Sequence, residues 1–452
     1  MPSNLENILG DLRIPTEFTR VNTSVEPDLV SLHQWRDKVS NVLEQVRTLA
    51  QSAEHTLDQR ADLMLAVAPF GLSYQAEITF NTAEWEPWRS EALTQRAKGI
   101  LDLAEISSPS KQLVVEVLVK KLKPVFRANA HPHINPSTGR KLSTMPTDPL
   151  AMQDYFESQK WKGIPGIDKV VLCGSQTSWY EELWHLLVPP IMAFLDDYEV
   201  NYKLRGVLLV QEMLAKFPKD LLRRTGIDDL LRTSLRGCLS HLDYPMSPDL
   251  IRQAVGTSVT LIVETSGVGT ISQPSSQRFD ELCGLLGEGI ISGIWMYSED
   301  KPNIVRATFD SIPGVMRALG IGSVRFLQAL IPQFTHALKP IPLLQPDRQT
   351  QKSAINVLST TIDVCAPRIP YWQETILDAV GRCWVAIVDE ERENGGLPED
   401  ALEIKEMLKQ LCKQMAEKHP QVKDDYRRLL EADVSLFQDL FLISVPAANS
   451  LN

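Results

Sequence analysis

Asp196 and Asp197 stand side by side, with Lys203 and Arg205 shortly after them. Paired carboxylates suit a divalent cation or acid–base work. They equally suit a turn between two helices, where an aspartate accepts from backbone N–H groups and pairs with the basic residue of its own or the next hairpin. Surface members of such a ladder contribute about 0.2–1 kcal/mol each, and the structural reading is taken for all four. His131 and His133 flank a proline, but zinc needs three or four ligands and no cysteine or further histidine lies near them. They are expected to be solvated in a flexible loop, and no metal or cofactor is expected. The glycine pieces at 267–269, 287–289 and 320–322 lack the strand, the Lys-Ser/Thr and the full spacing of a phosphate cradle. Gly287 and Gly289 read as helix-packing residues and Gly320 as a C-cap. With 8 histidines and no serine in a nucleophile-elbow context, no catalytic triad is suggested. Tyr180 and Trp184 share a helix face, whereas Trp179 points elsewhere; core packing is the default for the three, and a partner-docking patch the other reading.

The stretch that must position these residues is WYEELWHLLVPPIMAFLDDYEVNYKLRGVLLVQEML, from Trp179 to Leu214. An apolar helix carries Pro189 and Pro190 in its second half and ends at the paired aspartates. A polar turn follows, then a second helix opening with Lys203 and Arg205. A hairpin of this kind cannot bury its apolar face alone, so it implies stacked neighbours, as in HEAT-type repeats. Further apolar faces recur at spacings of three and four. Phe279, Leu282, Leu286 and Ile290 precede Val305, Phe309, Ile312 and Met316; Leu327, Ile331, Phe334 and Leu338 precede Ile355, Leu358 and Ile362. Ile376, Val380, Trp384 and Ile387 precede Ile404, Leu408, Leu411 and Met415. Arg205, Arg252, Arg306 and Lys352 open successive second helices at intervals of 47, 54 and 46 residues, near the roughly 40–47 of HEAT and armadillo repeats. The 29 prolines fit an all-helical chain because most fall between helices or in first turns. Pro190 and Pro332 fall inside first helices and are expected to kink them.

Upstream, Leu32, Trp35, Val39, Val42, Val46 and Leu49 form one helical face, and helices are expected near 61–70, 88–106 and 111–126. The segment RANAHPHINPSTGRKLSTMPTDP has no apolar period. The expected organisation is therefore an N-terminal helical region (1–126), a long loop (127–160) and a HEAT-like repeat array (161–452). Ser137, Thr138 and Ser143 are the loop's possible phosphorylation positions. The fold class is all-α, an α-solenoid of helical hairpins, superhelical in the armadillo manner.

A net charge of −11 over 452 residues argues against a general nucleic-acid or membrane-surface binder. The start lacks a secretory or transit pattern, and the apolar run Leu186–Leu195 is too short to span a bilayer. Six scattered cysteines read as small core residues in a reducing compartment, the cytoplasm and nucleus.

The block from Leu186 to Leu214 resembles the Tel-two-interacting protein two family, through Pro189-Pro190, Asp196-Asp197 and Lys203-Leu204-Arg205-Gly206. Trp161-Lys162, Trp184 and Arg382-Cys383-Trp384 are similar to family features, less specifically, and the resemblance covers about residues 160–390. It implies a non-catalytic subunit of the Triple T complex, partnered directly with a larger Tel-two-interacting HEAT protein and with the Tel-two protein. Indirect partners would be the ninety-kilodalton heat-shock chaperone with its R-two-T-P adaptor and the phosphatidylinositol-3-kinase-related kinases. The implied roles are kinase folding and stability, hence TOR signalling, the DNA-damage response and telomere maintenance. Pro189, Pro190, Asp196, Asp197, Lys203, Arg205 and Gly206 transfer as repeat-forming residues only. From another class, a HEAT-type transport receptor or cargo adaptor remains open; its inner groove would carry repeated Trp/Asn positions, an array not seen here. An enzyme hidden in the N-terminal region and loop is a third reading, without a visible catalytic constellation.

Overall fold

The computed structural model describes residues 4–18, 29–52, 55–74, 86–103, 109–126, 131–142, 155, 159–175, 179–266, 274–341 and 345–441. Among these no strand occurs, and extended pairing is a lone antiparallel bridge between Ile134 and Lys141. The chain is all-α and falls into two compact units, Met1–Leu235 and Arg236–Asn452.

The first unit holds α1 (Asn4–Gly10), α2 (Leu29–Ser52), α3 (Leu57–Gly71), α4 (Glu91–Leu103) and α5 (Lys111–Glu116). A π turn (Val117–Leu122) carries α5 into α6 (Lys123–Phe126). Then follow α7 (Ile167–Ser175), α8 (Tyr180–Leu195), α9 (Val200–Lys216), α10 (Lys219–Thr225) and the start of α11 (Ile227–Cys238). The apolar stripe of α2 is its inward face: Leu32, Val39, Val42 and Val46 are buried. Thr56 and Gln59 form a capping box that starts α3, which satisfies two amide N–H groups left over at the helix end. Gly226, at φ 72°, ends α10 in the left-handed region open to glycine. α4 packs on α2 and α3, α7 on α3, α9 on α7 and α8. Each fully buried Leu, Ile or Val in these contacts contributes about 1.5–3 kcal/mol.

The second unit holds α12 (Ser247–Thr265), α13 (Pro274–Gly284) continuing as a π segment (Leu285–Ser292), α14 (Pro302–Leu319), α15 (Leu327–Leu338) and α16 (Arg348–Val364). α17 (Ile369–Asn394), α18 (Glu399–Lys418), α19 (Val422–Ala432) and α20 (Val434–Phe441) complete it. Second helices α12, α14, α16 and α18 pack side by side, and α13, α15 and α17 each pack on the second helix that follows. Polar contacts fix the register. Asp243 meets Lys301 at 2.6 Å and Arg252 meets Asp310 at 2.8 Å, both 58 residues apart. Asp310–Ser353 and Arg317–Thr360 are both 43 apart. Lys352 reaches Glu403 and Ser359 reaches Gln414, 51 and 55 apart. Contacts that advance in the same order along both partners require parallel second helices, so each first helix must run back between them. That is a stack of hairpins, the solenoid arrangement.

Pro189, Pro190 and Pro332 lie inside α8 and α15, each assigned as a single helix. The span Pro302–Leu338 is long and apolar enough, by length and composition alone, to cross a membrane. It is two helices joined by a 3-10 turn, with Phe309, Ile312, Met316, Ile331 and Phe334 fully buried against neighbours, and reads as core.

Candidate functional site

The α8–turn–α9 hairpin is where the sequence concentrates its unusual residues, and each is tied to a different neighbour. Lys203 donates to the Leu195 carbonyl at 2.8 Å, satisfying an acceptor that the end of α8 would leave bare. Gly206 lies against the same turn: a Cβ there would collide with the Leu195 N and Cα and sit 2.6 Å from the Phe194 carbonyl carbon. No side chain fits, so the glycine sets how closely α9 approaches α8.

Arg205 leaves the hairpin for α7, where it donates to Asp168 at 3.2 Å; Asp168 also accepts from the Tyr74 hydroxyl at 2.7 Å. Beside this pair Glu86 accepts from Arg89 at 2.6 Å and faces Lys169 at 3.6 Å. The Lys169 ammonium stands 3.9 Å from the Tyr74 ring centroid, and the Arg205 guanidinium 5.7 Å from that of Trp88. Glu86, Asp168 and Lys169 are fully buried and Arg205 is 3% exposed. Burial works against the Arg205 charge, but Asp168 and Glu86 outweigh it and hold its pKa above the ordinary value. Burial likewise opposes a charged Glu86, yet Lys169, Arg89 and Arg205 together hold its carboxyl below the usual range. An isolated charge at this depth would be untenable, and breaking one partner of a buried pair costs about 3–5 kcal/mol.

The turn forms a second knot. Asp197 is fully buried, accepts from the Glu199 backbone N–H at 2.8 Å and pairs with Lys162 at 2.8 Å. Burial pushes its carboxyl up, against the pull of Lys162. Lys162 also pairs with Glu199 at 3.0 Å and lies over the Tyr198 ring at 4.2 Å. Asp196 accepts from His131 Nε2 at 2.8 Å. The expected surface ladder is therefore corrected here: Asp197 is interior, and Arg205 pairs with α7 rather than with a turn aspartate. The expectation of solvated histidines is corrected too, since His131 is 4% exposed and held by Asp196, with the Tyr155 ring edge-on at 5.2 Å.

The aromatic trio divides. Trp184 is 2% exposed, donates its indole N–H to the Gly139 carbonyl at 2.9 Å and packs with Tyr180 around Phe217. Trp184 is core, which removes it as a docking residue; Trp179 and Tyr180 are half-buried. Pro190 is buried, whereas Pro189 is half-exposed on a cavity of about 480 Å³ that Lys123, His131, Tyr155 and His185 also line.

Ser137 lines that cavity with His131, whose ring meets Asp196, and the three residue types could form a hydrolytic triad. The histidine is already committed. Nε2 faces Asp196, and Nδ1 accepts from the His133 backbone N–H at 3.2 Å, so neither ring nitrogen is left to take the serine proton. Among the described residues no group of three or more His, Cys, Asp and Glu is placed to hold a metal ion. The six cysteines are free thiols; Cys283 is partly exposed and the rest are buried, with burial pushing Cys173, Cys383 and Cys412 up to about 12. Sequence reasoning missed Glu86, Trp88 and Arg89, and the adjacent charges Asp168 and Lys169. The available signal was a charged pair inside the apolar helical run Ile167–Cys173. The glycine piece at 267–269 lies outside the described residues, as does Ser143.

A family model described as the Tti2 family matches residues 75–342, which takes in both knots except Tyr74, and the first hairpins of the second unit.

Proposed function

The chain belongs to the Tti2 family, and from that premise we propose that it is a non-catalytic scaffold that adds a preformed helical surface to a larger HEAT-repeat partner. Membership carries association with the Triple T complex in general. In this proposal the larger Tel-two-interacting protein is the direct partner and the Tel-two protein its neighbour. Together with the ninety-kilodalton heat-shock chaperone, the assembly would support folding, assembly and stability of phosphatidylinositol-3-kinase-related kinases, in cytoplasm and nucleus. Kinase stability in turn underlies the expected links to TOR signalling, the DNA-damage response and telomere maintenance.

The observation that favours a scaffold is the use made of the family-like residues. Lys203, Arg205, Asp196 and Asp197 are each spent on a contact within the first unit, so the block builds a rigid hairpin rather than a reaction centre. A partner that binds only the folded form stabilises it by mass action. Acute depletion of the chain tests the reading: steady-state levels of the kinases should fall over hours while their transcripts hold. Unchanged kinase levels after complete depletion would contradict the co-chaperone role.

A further inference from the structure

We propose that the edge of the second unit formed by the turns that open α12 and α14 docks a protein segment presenting lysine or arginine between apolar side chains. The two turns are neighbours, joined by the 2.6 Å Asp243–Lys301 pair. Each exposes large side chains that the core has not taken: Tyr244 is 44% exposed, Met296 73% and Tyr297 66%. The exposure is built rather than accidental. Trp295 turns inward, donates to Thr308 at 2.8 Å and packs edge-on against Phe309 and Phe334, which pins the 3-10 turn so that Met296 and Tyr297 face out. Ile341, on the turn before α16, is also half exposed.

Charge selects the partner. Asp243, Glu299 and Asp300 are exposed around these rings, with Lys301 the basic residue among them. Among the described residues no salt bridge engages Glu299 or Asp300. The molecule already holds one instance of the recognition expected. Tyr198, an exposed turn tyrosine of the first unit flanked by acids, carries the Lys162 ammonium over its ring at 4.2 Å, with Asp197 and Glu199 at 2.8 and 3.0 Å. A cation held between carboxylates and an aromatic face is the same chemistry that Tyr297, Glu299 and Asp300 offer to an incoming side chain. The opposite helix ends give a contrast: Tyr371, at the start of α17, is 82% exposed and stands between Arg368 and Glu374, one charge of each sign, rather than among acids alone.

The inference rests on the scaffold reading, and the probe is the purified larger Tel-two-interacting protein. A Tyr244→Ser, Met296→Ser, Tyr297→Ser variant should bind it at least tenfold more weakly, and Glu299→Lys with Asp300→Lys should weaken binding comparably and reduce its salt sensitivity. Tyr371→Ser should leave affinity unchanged, and all variants should melt like the parent because the side chains are exposed. A photo-crosslinking residue at 297 should map to a partner segment rich in Lys and Arg. Equal binding by every variant, or crosslinks to an acidic segment, overturns the docking edge alone. Failure of the unaltered chain to bind the probe overturns the scaffold reading and the edge with it. Self-association lost in the triple variant would assign the edge to a second copy of the chain instead, and would equally overturn the proposal.

Discussion

The two units solve the same problem with different chemistry. In the second, the buried polar side chains are almost all neutral, mostly hydroxyls such as Ser258, Thr265 and Thr361 bonded to carbonyls of their own helices. Lys409 apart, its charges sit at the rims in half-exposed pairs such as Arg252–Asp310 and Lys339–Asp378. In the first, Glu86, Asp168, Lys169 and Arg205 are carried inside and must satisfy one another. The contrast teaches where tolerance lies. An apolar stack accepts change as long as volume is kept, and rim pairs contribute little each. A buried charge lattice contributes specificity of fit, and loses heavily when one member is removed.

That contrast can be broken at several points. The largest effect is expected at Gly206, where even Gly206→Ala puts a methyl group into the α8 backbone. Overpacking costs about 1–3 kcal/mol where side chains can yield, and here backbone must move instead, so the loss should exceed that of any other substitution named below. Thermal melts should show the first unit destabilised or unfolded, and a melt like the parent's would remove the close-approach argument. Next comes Asp168→Ala, which takes one buried partner from both Arg205 and the Tyr74 hydroxyl; a loss of about 3–5 kcal/mol is expected in urea unfolding. The paired change Asp168→Leu with Arg205→Met should recover much of it, whereas additive losses would mean the charges do not act as a pair.

The sign of the pH effect sharpens the point. Glu86 ordinarily titrates near 4.5 and is held lower when folded. Its contribution is full above that value and is lost as pH falls through the lower folded pKa. The stability gap between the parent and Glu86→Gln should therefore be widest near neutrality and close in acid; a gap independent of pH would show that the carboxylate is not charged in the fold. Smallest of all should be Arg252→Ala in the second unit, about 0.2–1 kcal/mol by the same unfolding measurement. A loss as large as that at Asp168 would erase the distinction between the units.

Much of the second unit was legible in the sequence because its stabilising contacts are apolar and periodic: Phe309, Ile312 and Met316 announce a face, and the face is buried. The basic residues Arg252 and Lys352 also announced their places, each bridging to the next second helix. The first unit was harder for a physical reason. Tyr74 meets Asp168 across 94 residues, and His131 meets Asp196 across 65. Nothing local marks such partners, so a histidine in a proline-rich stretch reads as solvated and an aspartate in a turn reads as surface. For Trp184 the default core reading holds, although a helix face does not reveal that the Gly139 turn is what covers it. The glycine signal was sounder: Gly320 does end its helix, at φ 58°.

Whether this chain works by holding a partner rather than by turning over a substrate is decided by purifying it under native conditions and weighing what accompanies it. The expected result is a stable, stoichiometric assembly containing one larger HEAT-repeat protein, with the mass of a complex in light scattering. A homogeneous monomer from the same extract, with no large helical-repeat partner at any salt concentration, would contradict it.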